Sequence, residues 1–108
     1  MSLAAFDTKE VEIGGEIYSI KKMKALIGLR VQKKIYESGM ISESGINVLA
    51  LEPETIMEIV INGASKGSVS FDEKKFNVEF AARFNELYML VAEILQFNFS
   101  DEKKDDSE

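Results

Sequence analysis

The sequence predicts a mainly α-helical fold: a short N-terminal β-hairpin, then three to four helices, the last one long, in a single domain. Three observations predict it. A Gly-Gly pair sits between two short alternating runs near the N-terminus. From position 22 onward, apolar residues recur at three- and four-residue steps. The stretch FNVEFAARFNELYMLVAEILQFNFS, residues 76–100, carries the longest such pattern. At 108 residues the chain has room for one domain. A hydrophobic fraction of 45% can supply its core, although a domain of this size buries only about two-thirds of its unfolded surface. The expected divisions are a disordered N-terminus over 1–8, the domain over 9–99 and a disordered acidic tail over 100–108.

The hairpin is KEVEIGGEIYSI, residues 9–20. A two-residue Gly-Gly loop suits the primed turns that match strand twist. If Ile13 pairs with Glu16, then Val11 faces Tyr18 and Lys9 faces Ile20. Val11, Ile13, Tyr18 and Ile20 then share one face, opposite Glu10, Glu12 and Ser19, and Ile17 falls on the polar side. A lone hairpin is marginal, so its apolar face must rest on helices.

The next helix spans residues 22–38, with Met23, Leu26, Ile27, Val31 and Ile35 as its apolar positions and Lys22, Lys24, Lys33 and Lys34 on the solvated side. Gly39 is placed to terminate it, and Gly28 inside it marks a close helix approach. Residues 42–66 hold two short helical pieces. The first, in SESGINVLA, is capped by Ser42 or Ser44; the second, PETIMEIVINGAS, starts at Pro53 and ends at Gly63. The loop KGSVS follows.

The closing helix is expected over about residues 71–97. Ser70 and Glu73 form an S-x-x-E capping box. Phe76, Phe80, Phe84, Leu87, Val91 and Leu95 then trace one stripe, widened by Phe71, Tyr88 and Ile94. At a rise of about 1.5 Å per residue such a helix is near 39 Å long. Glu79, Glu86 and Glu93, seven residues apart, fit a solvated stripe opposite. Phe97 falls near the edge of the apolar stripe and Phe99 where the helix frays, beside DEKKDDSE.

Composition excludes several chemistries. The chain has no cysteine and no histidine, which removes disulfides, thiol nucleophiles, Cys-ligated metals and the commonest general base. GASKGS (63–68) lacks the residue order and the preceding strand of a phosphate loop. NFS (98–100) matches the N-glycosylation pattern, but MSLAAFDTKE has neither a basic leader nor an apolar run, so no secretion signal is expected. A net charge of −6 argues against a nucleic-acid backbone or an anionic membrane as partner. No apolar run approaches the roughly 18–20 residues that span a bilayer. The expectation is a cytoplasmic, non-enzymatic protein with no cofactor, no metal and no small-molecule substrate.

The organisation resembles the tail assembly chaperones of long-tailed bacteriophages, especially the small ones from phages and prophages of Gram-positive hosts. The residues that carry the resemblance are the hairpin VEIGGEIYSI, the helix MKALIGLRVQKKI, the Pro-initiated PETIMEIVINGAS and above all RFNELYMLVAEILQFNF. These are patterns of apolar positions over roughly residues 9–99, without an invariant chemical signature. The resemblance implies binding of the tape measure protein, a long helical polypeptide kept soluble until tail tube subunits assemble around it. It also implies absence from the finished virion, self-association into an oligomer or ring, and a longer form made by ribosomal frameshifting. Under it the contact residues are Phe71, Tyr88, Met89, Phe97 and Phe99, with Met23, Met40 and Met57 as adaptable neighbours. The rival readings are a small regulatory adaptor that binds one folded partner and a tail or connector subunit of the virion. An acidic DNA mimic fits less well, because lysines interrupt the rows of carboxylates.

Overall fold

A computed structural model describes residues 8–39, 41–42 and 45–99. The expected disorder of 1–7 and 100–108, and Met40 as a contact, lie outside the described residues. Strand β1 (Thr8–Ile13) pairs antiparallel with β2 (Glu16–Lys21) in the predicted register: Ile13 opposite Glu16, Val11 opposite Tyr18, Lys9 opposite Ile20. Gly14 and Gly15 both take positive φ, 61° and 85°, as a primed two-residue turn requires. The strand begins one residue earlier than expected, because Thr8 pairs with Lys21. Ile13, Tyr18 and Ile20 are buried and Ile17 is 55% exposed, as the alternation predicts.

Helix α1 (Ala25–Ser38) buries Val31 and Ile35 and stops at Gly39, which adopts the left-handed conformation (φ 73°). The segment after it departs from expectation. Ser42, expected as a helix cap, instead ends β3 (Ile41–Ser42), which pairs with β4 (Gly45–Ile46), and the alternative cap Ser44 lies outside the described residues. A single 3-10 turn, Val48–Ala50, follows, and its cap is Asn47, whose side chain accepts from the Leu49 amide at 3.2 Å. Helix α2 (Pro53–Gly63) then starts with proline in its first turn, where a missing N–H is harmless.

Two corrections change the fold class. The region 64–70, expected as a loop, forms β5 (Ala64–Lys66) and β6 (Val69–Ser70). β5 pairs with β2 through Ser19–Ser65 and Ile20–Ala64, so the sheet has four antiparallel strands in the order β1-β2-β5-β6. The protein is mixed α/β rather than mainly α. Strands of two or three residues carry no measurable alternation, and this pair forms because the inner edge of β2 needs a partner for its buried backbone groups.

The long closing helix is also two helices. α3 (Glu73–Glu79) and α4 (Phe84–Phe99) are separated by a turn in which Ala82 takes φ 60°. Local propensity does not cause this break, since Ala81 and Ala82 are strong helix formers. Tertiary packing does. α3 seats Phe80 (3% exposed) against Tyr18 and Phe71, with ring centroids 6.0 and 5.7 Å away. α4 lays Leu87, Leu90, Val91, Ile94 and Leu95 against the rest of the core. The cap of α3 is Asp72, whose Oδ1 accepts from the Lys75 amide at 2.8 Å, and not the predicted Ser70–Glu73 box, because Ser70 belongs to β6.

Close helix approach occurs, but at Gly63 rather than Gly28. A Cβ on Gly63 would collide with the Ile94 side chain of α4, whereas a Cβ on Gly28 would meet nothing within 4 Å. Glycine at the end of α2 lets α4 lie directly on it.

Candidate functional site

The break at Ala82 opens an apolar feature beside the helices. In a continuous helix Phe84 would follow Phe80 and precede Leu87 along one buried stripe. Turned outward at the start of α4, it is 58% exposed. It stands beside Leu49 of the 3-10 turn, which is 66% exposed. Between them lies a cleft of about 440 Å³. Leu51, Ile56 and Leu87 form its buried floor, and Pro53, Phe76 and half-buried Tyr88 complete the walls. Every lining residue is apolar or aromatic. Two exposed acids, Glu52 and Glu54, flank Pro53 in the chain.

Each wall is held by a local device. The Asn47 cap fixes the 3-10 turn that presents Leu49. The Glu52 carbonyl accepts from Thr55 and Ile56 amides at 2.9 and 3.0 Å and fixes the start of α2. Arg83 closes α3: its Nη1 donates to the Glu79 carbonyl and to Glu79 Oε2, both at 3.2 Å. A cation on the last carbonyls of a helix also suits the helix dipole.

Glu79 is the polar hub behind this turn. It accepts from the Tyr18 hydroxyl at 2.7 Å and from Lys66 Nζ at 3.1 and 3.2 Å, while Lys66 also pairs with Glu16 at 3.0 Å. The predicted solvated stripe of Glu79, Glu86 and Glu93 therefore fails at Glu79, which points inward. Burial pushes the Glu79 carboxyl up, but the Tyr18 hydroxyl, Lys66 and Arg83 outweigh it and hold it below the ordinary range. Burial, then the bond to Glu79, pushes the Tyr18 hydroxyl up to about 12. These groups tie α3 to the sheet. Among the described residues no group of three or more His, Cys, Asp or Glu side chains is placed to hold a metal, and no helix is long and apolar enough to cross a membrane.

The five predicted contact residues do not come together. Phe71 is 7% exposed and belongs to the aromatic cluster with Tyr18 and Phe80. Tyr88 lines the groove, and Met89, next to it in α4, is 55% exposed. Phe97 and Phe99 lie at the other end of α4, half-buried and packed on the core. Lys22 Nζ stands 4.3 Å from the Phe97 ring centroid and donates to the Phe97 carbonyl at 2.6 Å. The Asn98 side chain accepts from the Met23 amide at 2.8 Å and donates to the Lys21 carbonyl at 3.1 Å and the Ile94 carbonyl at 2.9 Å. Phe99 meets Ile35 and Tyr36 of α1 across a separate cleft of about 270 Å³. Met23 and Met57 are half-buried.

Sequence reasoning missed Leu49 and Phe84. Leu49 had a signal, an apolar residue just ahead of a proline-started helix. Phe84 had none, since its periodicity is that of a core residue. Comparisons with protein-family models, curated proteins and solved structures return no match to this chain.

Proposed function

We propose that this chain is a non-enzymatic tail assembly chaperone of a long-tailed bacteriophage, which binds the tape measure protein and keeps it soluble during tail assembly. Support comes first from the family resemblance of the hairpin and of the three helical segments. The structural observation that carries the reading is the groove of Leu49, Phe84 and Tyr88: an open, mostly apolar cleft beside helices suits one face of an amphipathic helix. Such a helix buries its stripe there, and the acidic chain around it keeps the complex dispersed (net charge −6). Ala82 at φ 60° supports the same reading, because backbone strain of this kind persists where surrounding structure enforces it. Here it turns Phe84 outward.

The reading carries further expectations: action in the bacterial cytoplasm, self-association into an oligomer or ring, no nucleic acid, membrane or small-molecule ligand, and absence from purified virions. The test is co-expression with the tape measure protein. Soluble yield and co-purification are compared for the wild type, for Leu49→Ser with Phe84→Ser, and without this chain. The long protein is expected to stay soluble only with the wild type. If its solubility is the same in all three, the chaperone reading falls and a regulatory adaptor for one folded partner replaces it. Recovery of the chain from purified particles would instead make it a virion tail or connector subunit.

A further inference from the structure

At the turn between α3 and α4, local preference and observed structure disagree. Ala81 and Ala82 are of the residue type that favours helix most, yet Ala82 sits at φ 60°, a conformation costly to any residue with a Cβ. Arg83 stands just before the first turn of α4, its carbonyl accepting from the Leu87 amide at 3.0 Å. Arginine suits the end of α3 but not the start of α4. Its side chain offers no acceptor to the free amides there, and its charge opposes the positive end of that helix. The break also leaves carbonyls at the end of α3 and amides at the start of α4 without helical partners. Ala81, Ala82 and Phe84 are exposed, so burial at the turn itself compensates for none of this.

A continuous helix from Glu73 to Phe99 relieves all of these conflicts. Ala82 becomes helical, and the free carbonyls and amides pair with one another. Glu79 and Arg83, already in contact at 3.2 Å, become an ordinary four-residue pair with the acid on the N-terminal side, the favoured order. Within one chain that helix cannot form. Phe80 of α3 is held against Tyr18, while Leu90, Val91 and Ile94 of α4 are fully buried in their own seat. Lifting α4 out uncovers side chains whose burial is a large part of the stability of a domain this size. An occupant that fills the vacated seat with the same contacts removes that cost. The seat is cut for α4: Ile94 lies over bare Gly63, and Asn98 reaches the Met23 amide and the Lys21 carbonyl. A second copy supplies those side chains.

We propose that two copies of this chain exchange α4, through a hinge at residues 81–83 that straightens into helix. Each α3 stays on its own sheet, and each α4 seats on the other copy. Every contact of α4 is then repeated between copies, and the net gain is that of a straight hinge over a bent one. The resemblance implies self-association; the element that passes between copies follows from the hinge. Exchange does not depend on what the groove of Leu49 and Phe84 binds.

The experiment unfolds the full chain in denaturant, refolds it over a range of protein concentrations and sizes the products by sedimentation. Refolding at high concentration should give a dimer that persists after dilution, because α4 must leave its seat before the copies can part. Ala82→Gly accepts the left-handed conformation and weakens the straight helix. It should raise the dimer's dissociation constant about tenfold for each hinge, and so about a hundredfold. Ala82→Ile places a β-branched side chain where positive φ suits it least, and should shift the constant the other way. The ownership of α4 is read from a dimer refolded from equal parts of 13C-labelled and unlabelled chains. Isotope-filtered NOE spectra should show the contact of the Ile94 methyl with Gly63, neighbours in the closed chain, between chains. A monomer at every concentration, for wild type and Ala82→Ile alike, overturns the proposal. So does a dimer in which the contact of Ile94 with Gly63 stays within one chain. A dimer indifferent to residue 82 but dissolved by Phe84→Ser also overturns it and places the contact between copies in the groove.

Discussion

The two ends of α4 use the same kind of residue to opposite purposes. At its start, Phe84 and Leu49 stand open above a cleft lined by apolar and aromatic side chains. At its end, the aromatic rings of Phe97 and Phe99 are drawn onto the core, and Asn98 between them makes two hydrogen bonds, with the Met23 amide and the Lys21 carbonyl, that clamp the helix to the β2–α1 junction. Composition alone suggests the reverse, with Phe84 in the core stripe and the last two phenylalanines forming an exposed edge. What separates the ends is a donor–acceptor side chain placed to reach backbone groups across the molecule. Asn98 satisfies the Met23 amide and the Lys21 carbonyl, so the rings beside it are held in. The turn at Ala82 does the contrary at the other end.

If the closed end is held by packing and hydrogen bonds together, breaking either should loosen it. The largest effect is expected for Gly63→Ala. Its new methyl would run into Ile94, which is fully buried, and neither helix can move without disturbing the core. Overpacking of this kind costs about 1–3 kcal/mol, occasionally more. Chemical denaturation should show a fall at the upper end of that range. A change within experimental error would mean that α2 and α4 can part freely. Asn98→Ala comes next. It leaves the half-buried Met23 amide and Lys21 carbonyl without their partner, at a cost of about 2 kcal/mol. A loss of that size lowers the Tm of a small domain by roughly 8–16 °C. Hydrogen exchange at Met23 should quicken in the variant; if stability and exchange both stay as they were, the clamp is not what closes this end.

The contrast between the ends also marks what the sequence could show. Much that is written in local steps was legible: the Gly14–Gly15 hairpin and its register, the stop at Gly39, the start at Pro53, the buried faces of β1 and β2. Most of the misplaced features depend on partners distant in the chain. Gly28 and Gly63 are both glycines near helix positions, and only the path of α4 decides which one needs to be bare. The β5–β6 hairpin had a Gly67–Ser68 turn signal, but its strands are too short to alternate visibly. Phe80, Phe84 and Leu87 fit a single helix face until the sheet claims Phe80, and the alanines between them favour the helix that does not form. Of the groove, Tyr88 was singled out in the sequence, whereas Leu49 and Phe84 became visible only once the helix was seen to break.

The turn between α3 and α4 rests on Glu79, so acid should weaken the open end's support. The Glu79 carboxyl is held below its ordinary value of 4.5. A depressed carboxyl contributes stability that is complete above the unfolded value and is lost as pH falls through the folded one. Denaturant midpoints should therefore hold steady from neutral pH to about 5 and decline below it. Glu79→Gln should be less stable at neutral pH and decline less steeply in acid. A parallel decline in both proteins would remove Glu79 from the account.

The smallest effect on stability, and the sharpest test of the comparison, is expected for Phe84→Ser. The side chain is 58% exposed, and surface substitutions away from buried features usually change stability by no more than about 0.5 kcal/mol. Its Tm should stay close to that of the wild type, while co-purification with a helical partner falls. Phe97→Ser should show the opposite pattern. It removes a half-buried ring that packs on the core beneath Lys22, so Tm should drop while partner capture through the groove persists. Two phenylalanines thirteen positions apart on one helix would then separate cleanly, one needed for folding and the other for binding. If both variants lose stability equally and neither loses the partner, the open end is merely an uncovered piece of core.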